Sequence, residues 1–151
     1  MDSTHTTISV DEVIAGYCET ALWADAVPAI SDPDHPAHIP SWESGGMNDT
    51  HEIDQPGEDA ITPLIESWVA ENLALLEQYS DELSDMGKRF DAYSPGELAG
   101  HDLRLTAGGH GAGFWDRGLS DALSDALTES AKAFGDICCF EVDVDRCTFN
   151  L

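Results

Sequence analysis

Lysine and arginine are scarce in this chain. There are six of them against 30 aspartates and glutamates, which gives a formal net charge of −24 at pH 7. A protein that binds the phosphate backbone of nucleic acid needs a row of basic side chains to displace counterions, and this chain cannot supply one. Anionic membranes are excluded as direct partners for the same reason. Because the sequence is also 42% hydrophobic, we expect the acids to cover a folded domain.

Long apolar runs are absent too. No run approaches the roughly 20 residues that cross a bilayer. Residues 1–13, MDSTHTTISVDEV, lack the basic and apolar regions of a signal peptide. A chain of 151 residues is long enough for one domain with its own core. We therefore expect a single cytoplasmic domain.

Closely spaced cysteine pairs of the CxxC type are also missing. The four cysteines are Cys18, Cys138, Cys139 and Cys147. Adjacent residues on a strand point to opposite faces, so Cys138 and Cys139 are poorly placed to bind one metal together. We expect reduced thiols, most of them buried, and no cofactor.

Three stretches with apolar residues at helical spacing predict three helices, at residues 10–24, about 62–87 and 120–134. Ser9 and Glu12 have the spacing of a capping box before the first helix. Pro63 is typical of the first helical position, and Gly135 is typical of a helix end. Between the first two helices, residues 27–60 contain many prolines and acids without periodicity, which predicts an irregular acidic insert.

The last third of the chain predicts strands as well as the third helix. Ser94 and Glu97 have capping-box spacing, but Gly100 would limit that helix to about one turn. Apolar and polar residues then alternate, which predicts a hairpin with strands near 102–106 and 112–116. Two further strands are predicted at 137–142 and 147–151. The predicted fold class is α+β, with about three helices packed on a small antiparallel sheet and a C-terminal β-hairpin.

The segment at residues 100–118, GHDLRLTAGGHGAGFWDRG, contains most of the candidate site residues. These are His101, Asp102, His110, Phe114, Trp115, Asp116 and Arg117. One reading is a catalytic or metal site, with His101, His110 and Asp116 as metal candidates and Arg117 beside an anionic group. A second reading is a binding surface built on the hairpin. A third is purely structural, with glycines at turns and both aromatics in the core.

Acidic residues recur every four positions in two of the predicted helices. Asp121, Asp125 and Glu129 form one such row, and Glu77, Asp81 and Asp85 form the other. At about 1.5 Å of rise per residue the spacing is about 6 Å, similar to the interval between phosphates on one nucleic-acid strand. Such rows could imitate nucleic acid. They could equally be solvated helix faces, or an adaptation to high salt in the cell.

Three stretches carry a resemblance to a known family: ALWADA at residues 21–26, VAENLALLEQY at 69–79, and the segment at 100–118 followed by LTESAKAFGD. They resemble a family of short, functionally uncharacterised proteins of tailed bacteriophages and prophages. The resemblance implies a viral or prophage origin and a non-structural role in the infected cell. It implies no activity and no catalytic residues.

From these observations we predict a small phage-type accessory protein that binds a basic host partner, as a nucleic-acid mimic or as an inhibitor of a host defence or nucleic-acid enzyme. The predicted binding surface comprises His101, Asp102, His110, Phe114, Trp115, Asp116, Arg117, Asp121, Asp125 and Glu129. One alternative is a metal-dependent or acid/base enzyme that uses the hairpin from His101 to Arg117. The other is an acidic, halophile-adapted domain of unknown role. The oligomeric state is left open.

Overall fold

Five α-helices and a small mixed sheet form the part of the chain that this computed structural model describes, namely residues 8–24, 52–85, 94–109, 113–137, 139–143 and 146–149. The helices are α1 (Val10–Ala24), α2 (Gln55–Glu71), α3 (Leu73–Asp85), α4 (Pro95–Ala107) and α5 (Asp121–Phe134). The strands are β1 (Glu52–Ile53), β2 (Cys139–Asp143) and β3 (Arg146–Phe149), and a 3₁₀ turn covers Phe114–Asp116.

The first helix has the bounds that its periodicity predicts, and the last helix begins one residue later than predicted. At the start of α1 the Ser9 hydroxyl accepts a hydrogen bond from the backbone N–H of Glu12 at 3.4 Å. Helix α5 begins after Ser120 and ends before Gly135, whose φ of +99° lies in a region that glycine adopts readily. Both helix predictions are confirmed, because their signals are local.

The second predicted helix starts earlier than expected and is interrupted. Its N-cap is Asp54, whose carboxylate accepts the backbone N–H of Gly57 at 2.7 Å. The helix then continues through Pro63, so the predicted start at Pro63 is wrong. Asn72 separates α2 from α3 and donates its side-chain amide to the carbonyl of Trp68 at 2.9 Å. Pro56 and Pro63 are both compatible with the first turn of a helix. The helix starts near Pro56 because the side chain of Asp54, two residues earlier, caps it.

The predicted acidic insert is described only at its C-terminal end. Residues 52–60 form β1 and the beginning of α2. Residues 27–51 lie outside the described part of the chain.

The sheet has the strand order β1-β3-β2. Strand β1 pairs in parallel with β3, with Ile53 opposite Cys147. Strand β2 pairs antiparallel with β3, with Cys139 opposite Phe149. The backbone N–H of Asp54 donates to the carbonyl of Cys147 at 2.8 Å, so the sheet holds the N-cap of α2.

The predicted α+β fold is therefore wrong, and the described part of the chain is mainly helical. Helix α4 occupies residues 102–106, which the alternating pattern assigned to a strand, and it passes through Gly100 instead of ending there. The second expected strand, 112–116, contains the 3₁₀ turn. The final antiparallel pair of strands is present, but β1 joins it in parallel, so the sheet is mixed and small. The pattern failed because the polar residues at 102, 104 and 106 are buried.

Glycines allow α1 and α4 to approach until their backbones touch. A Cβ atom on Gly16 would overlap the carbonyl oxygen of Glu97. A Cβ on Gly100 would overlap the carbonyl oxygen of Val13 and lie 2.6 Å from the backbone nitrogen of Tyr17. Gly100 is thus retained inside a helix because no side chain fits at this crossing.

We expect Gly100→Ala to lower the free energy of unfolding by about 1–3 kcal/mol, because backbone atoms cannot move aside as a side chain can. In an open helix the same change would stabilise by about 1 kcal/mol. Urea denaturation measures the difference. Gly109→Asn is the control, because Gly109 has a φ of +68° that asparagine tolerates and open space around its Cβ position. A Gly100→Ala variant at least as stable as the parent chain would contradict the proposed contact.

One core unites all five helices and β3. Its members with exposure of 1% or less include Tyr17, Ile61, Ile65, Leu76, Tyr79, Leu103, Phe114, Leu123, Leu127 and Cys147. Among the described residues, Cys18 and Cys147 are free thiols, which is consistent with the expected reduced cysteines. In the same part of the chain, every helix is too short or too polar to cross a membrane.

Candidate functional site

Within the segment at residues 100–118 the structure describes the second half of α4, a turn at Gly108 and Gly109, and the 3₁₀ turn that precedes α5. Residues 110–112 lie outside the described part of the chain. Consecutive residues of a helix point about 100° apart. His101 and Asp102 therefore face different neighbours. His101 directs Nε2 towards the carboxylate of Glu19 on α1 at 3.1 Å, whereas Asp102 is fully buried.

Asp102 is an internal anchor for the 3₁₀ turn. Its carboxylate accepts the hydroxyl of Tyr79 at 2.7 Å, the Nε–H of Arg117 at 2.9 and 3.1 Å, and the Nη2–H of Arg117 at 2.7 Å. The two-pronged contact with the guanidinium holds Arg117 in one orientation. Burial, followed by the charge of Asp102, raises the pKa of Tyr79 well above its usual value, so the hydroxyl stays protonated as a donor.

A second contact holds the beginning of the same turn. Thr106 of α4 accepts the backbone N–H of Phe114 at 3.2 Å through its hydroxyl. A Cβ on Gly113 would overlap that hydroxyl, so this position requires glycine for close approach. Phe114 is completely buried, with its ring centroid 6.3 Å from that of Trp68 and 5.5 Å from that of Tyr79.

Trp115, unlike Phe114, is exposed to solvent. It follows Phe114 directly, yet 44% of its surface is exposed. Large aromatic side chains on a surface are enriched at the centres of protein interfaces. The turn thus buries one aromatic residue and presents the next one to solvent.

Of the predicted metal or acid/base site, the structure describes only the side chains of His101, Asp102 and Arg117. His101 faces Glu19, and Arg117 binds Asp102 instead of lying free beside an anionic ligand. Within the described residues, no group of three histidine, cysteine or acidic side chains could hold a metal ion. His110 and the side chain of Asp116 lie outside them.

Arg104 is a buried residue that sequence reasoning missed. Only 1% of its side chain is exposed, and its guanidinium donates to the carbonyl of Ile137, to the hydroxyl of Tyr17 at 3.1 Å, and to the carboxylate of Asp136. The carbon Cζ also lies 5.8 Å from the centroid of the Tyr17 ring. The sequence signal that could have identified it is an arginine between two apolar residues, Leu103 and Leu105. Such a position is compatible with a helix that is buried on most of its faces.

The acids at positions 121, 125 and 129 lie on α5, and all three are exposed. On the neighbouring helix α3, Asp81 and Asp85 are exposed, while Glu77 is half-buried. The two helices are in contact. The predicted rows therefore lie on adjacent helices, and the α5 row is the one that is exposed at all three positions.

Glu82 of α3, another residue missed from the sequence, holds the start of α5. Its carboxylate accepts the backbone N–H of Ser120 at 2.7 Å and the Ser120 hydroxyl at 2.8 Å. The backbone N–H is the main cause that lowers the pKa of Glu82 below its usual value. A residue of α3 thus replaces the usual side-chain cap and fixes the direction in which α5 leaves the 3₁₀ turn.

Compared with family models, with curated proteins and with solved structures, the chain has no match in any of the three. The resemblance to phage proteins therefore stays a prediction.

Proposed function

We propose that this chain is a small phage-type accessory protein that binds a basic partner in the host cytoplasm. Its contact surface is the α5 face, by which we mean Trp115, Asp121, Asp125 and Glu129. The partner class that fits is a host enzyme or defence protein with a cationic nucleic-acid groove. The chain would occupy that groove as a mimic of nucleic acid or as an inhibitor.

The observation that carries the proposal is the exposure of the whole α5 row. Asp121, Asp125 and Glu129 are all exposed along one helix, and within the described residues none of the three forms a salt bridge. Arg104 and Arg117, by contrast, face inwards to Asp136 and Asp102. These two arginines are therefore neutralised within the fold. The three exposed acids of α5, which the exposed Lys132 offsets only in part, keep a negative potential that attracts and orients a basic partner.

Three further residues of the predicted surface, Asp102, Phe114 and Arg117, have a supporting role in this proposal. Asp102 and Phe114 are buried, and Arg117 is held by Asp102. They keep the turn in the conformation that exposes Trp115 beside the start of α5. An exposed aromatic anchor next to a charged row combines close packing with electrostatic steering.

Neutralising the α5 row should weaken partner binding roughly tenfold to a hundredfold, on the basis of about 0.5–1 kcal/mol for each charge. The variant is Asp121→Asn, Asp125→Asn and Glu129→Gln. The partner is first recovered by pull-down from the host. Competition with DNA for that partner then measures the affinity of each variant.

The matched control neutralises three exposed acids of α2, with Asp59→Asn, Glu66→Gln and Glu71→Gln. Both triples change the net charge equally, so only the positions of the neutralised acids differ.

A salt series distinguishes electrostatic binding of a partner from adaptation to high salt, because the Debye length falls from about 10 Å at 0.1 M to about 3 Å at 1 M. Salt should weaken binding of the parent chain. Equal affinity of the two triples, recovery of no DNA-binding partner, or failure to compete with DNA would contradict the proposal and leave solubility or high-salt adaptation as the reason for the acidity.

A further inference from the structure

A groove distinct from the α5 face lies between α1, α2 and the sheet. Its volume is about 810 Å³, within the range of roughly 300–1,000 Å³ that is common for small-molecule sites. Ile14, Cys18 and Leu22 of α1 contribute to its lining, together with Ile53 of β1. The three α1 residues are four positions apart and share one face of the helix. They give the groove an apolar floor.

Carboxylates outnumber cations along the same groove. Asp11, Glu52 and Glu58 contribute three negative charges, and Arg146 contributes one positive charge. All three acids are exposed, and within the described residues none of them forms a salt bridge. A cleft that combines low-polarity walls with charge of mainly one sign concentrates ions of the opposite sign.

The thiol of Cys18, on the apolar floor, is influenced by the negative charge of Glu58. Burial, and to a smaller extent the negative charge of Glu58, together raise the pKa of its thiol to about 12. The influence of Glu58 thus reaches the apolar floor. The contribution of Glu58 favours a positive charge, whereas burial penalises any charge, so a cation belongs among the exposed carboxylates and not on the floor itself.

We infer that this groove binds a small organic ammonium ion, with its charged group among the carboxylates of Asp11, Glu52 and Glu58 and its apolar body on the floor. A divalent metal is a poorer fit, because the described residues contain no set of three ligating side chains close enough to hold one. An anionic or neutral ligand of the same shape would lose the electrostatic attraction. The site is independent of the α5 face and of the proposed partner.

Titration calorimetry with three probes of similar shape tests the inference. The probes are 2-phenylethylammonium, the neutral 2-phenylethanol and the anionic 3-phenylpropionate. We expect the ammonium ion to saturate one site with a Kd of about 1 mM or tighter, corresponding to about 4 kcal/mol. The alcohol should bind about tenfold more weakly, and the carboxylate should not bind measurably.

Two neighbouring residues provide a matched pair of variants. Glu58→Gln should weaken ammonium binding by about threefold to tenfold, the range of an ion pair that is partly screened by solvent. Asp59→Asn removes the same charge, but Asp59 accepts the amide of Gln55 at 2.8 Å and does not line the groove, so it should leave the affinity unchanged. Both positions are exposed, and folding can be verified from an unchanged melting temperature.

The neutralised α5 triple should bind 2-phenylethylammonium like the parent chain, which separates this site from the proposed partner surface. Three results would overturn the inference. The first is equal affinity for the ammonium ion and the alcohol. The second is an equal loss of ammonium affinity in Glu58→Gln and Asp59→Asn. The third is that binding of the ammonium ion does not saturate even at concentrations well above about 1 mM.

Discussion

Replacing Asp102 by alanine is expected to lower the free energy of unfolding by about 3–5 kcal/mol, because it leaves the guanidinium of Arg117 without its internal counter-charge. Asp102 is 1% exposed at its side chain and Arg117 is 21% exposed, so solvent compensates only part of the loss. The hydroxyl of Tyr79 also loses its acceptor. Urea denaturation monitored by circular dichroism measures the effect.

Two controls separate the buried pair from simple loss of an acid. Asp81→Ala removes an exposed acid of α3 and should change stability by about 0.5 kcal/mol or less. The double variant Asp102→Leu with Arg117→Met should be less destabilised than the sum of its single changes, because it leaves no unpaired charge. An Asp102→Ala loss of less than about 1 kcal/mol would show that the pair does not hold the turn.

Phe114→Ala and Trp115→Ala are expected to behave in opposite ways, although the two aromatic residues are adjacent. Phe114 is fully buried between Trp68 and Tyr79, so its truncation should cost about 3–5 kcal/mol. Trp115 is 44% exposed, so its loss should cost less than about 1.5 kcal/mol even though its side chain is larger.

Binding should show the reverse order. Trp115→Ala should weaken the affinity for the basic partner by at least about tenfold, as expected for an aromatic anchor. Its melting temperature should stay close to that of the parent chain, so the loss could not be attributed to unfolding. If Trp115→Ala were as unstable as Phe114→Ala, Trp115 would belong to the core. If it were stable and bound the partner normally, the α5 face would not include it.

The helices with local signals could be predicted from the sequence. Apolar spacing and a serine before the helix are sufficient for Val10–Ala24, and a glycine after the helix adds a third signal for the one that ends at Phe134. The exposed row at 121, 125 and 129 follows from the same periodicity. The capping box at Ser94 and Glu97 is also present, with both of its hydrogen bonds. Each of these features depends on residues within a few positions of each other.

The candidate site was only partly predictable. The sequence singled out the segment that contains Asp102, Phe114 and Trp115, because glycines, aromatics and charges cluster there. It could not show which of the two aromatics is buried. It also gave no reason to connect Asp102 with Tyr79, which lies 23 positions earlier in the chain.

What the sequence by itself determined was the outline of α1 and α5, the acidic surface and the place of the unusual turn. What only the tertiary structure decided was α4. Asp102, Arg104 and Thr106 alternate with apolar residues as on a half-exposed strand, and a helix that buries all three requires partners from elsewhere in the chain. Arg117, Asp136 and the backbone of Phe114 supply them. A buried polar group is tolerated only when it is hydrogen-bonded, so the choice between strand and helix depended on residues that are distant in the sequence and adjacent only in the folded chain.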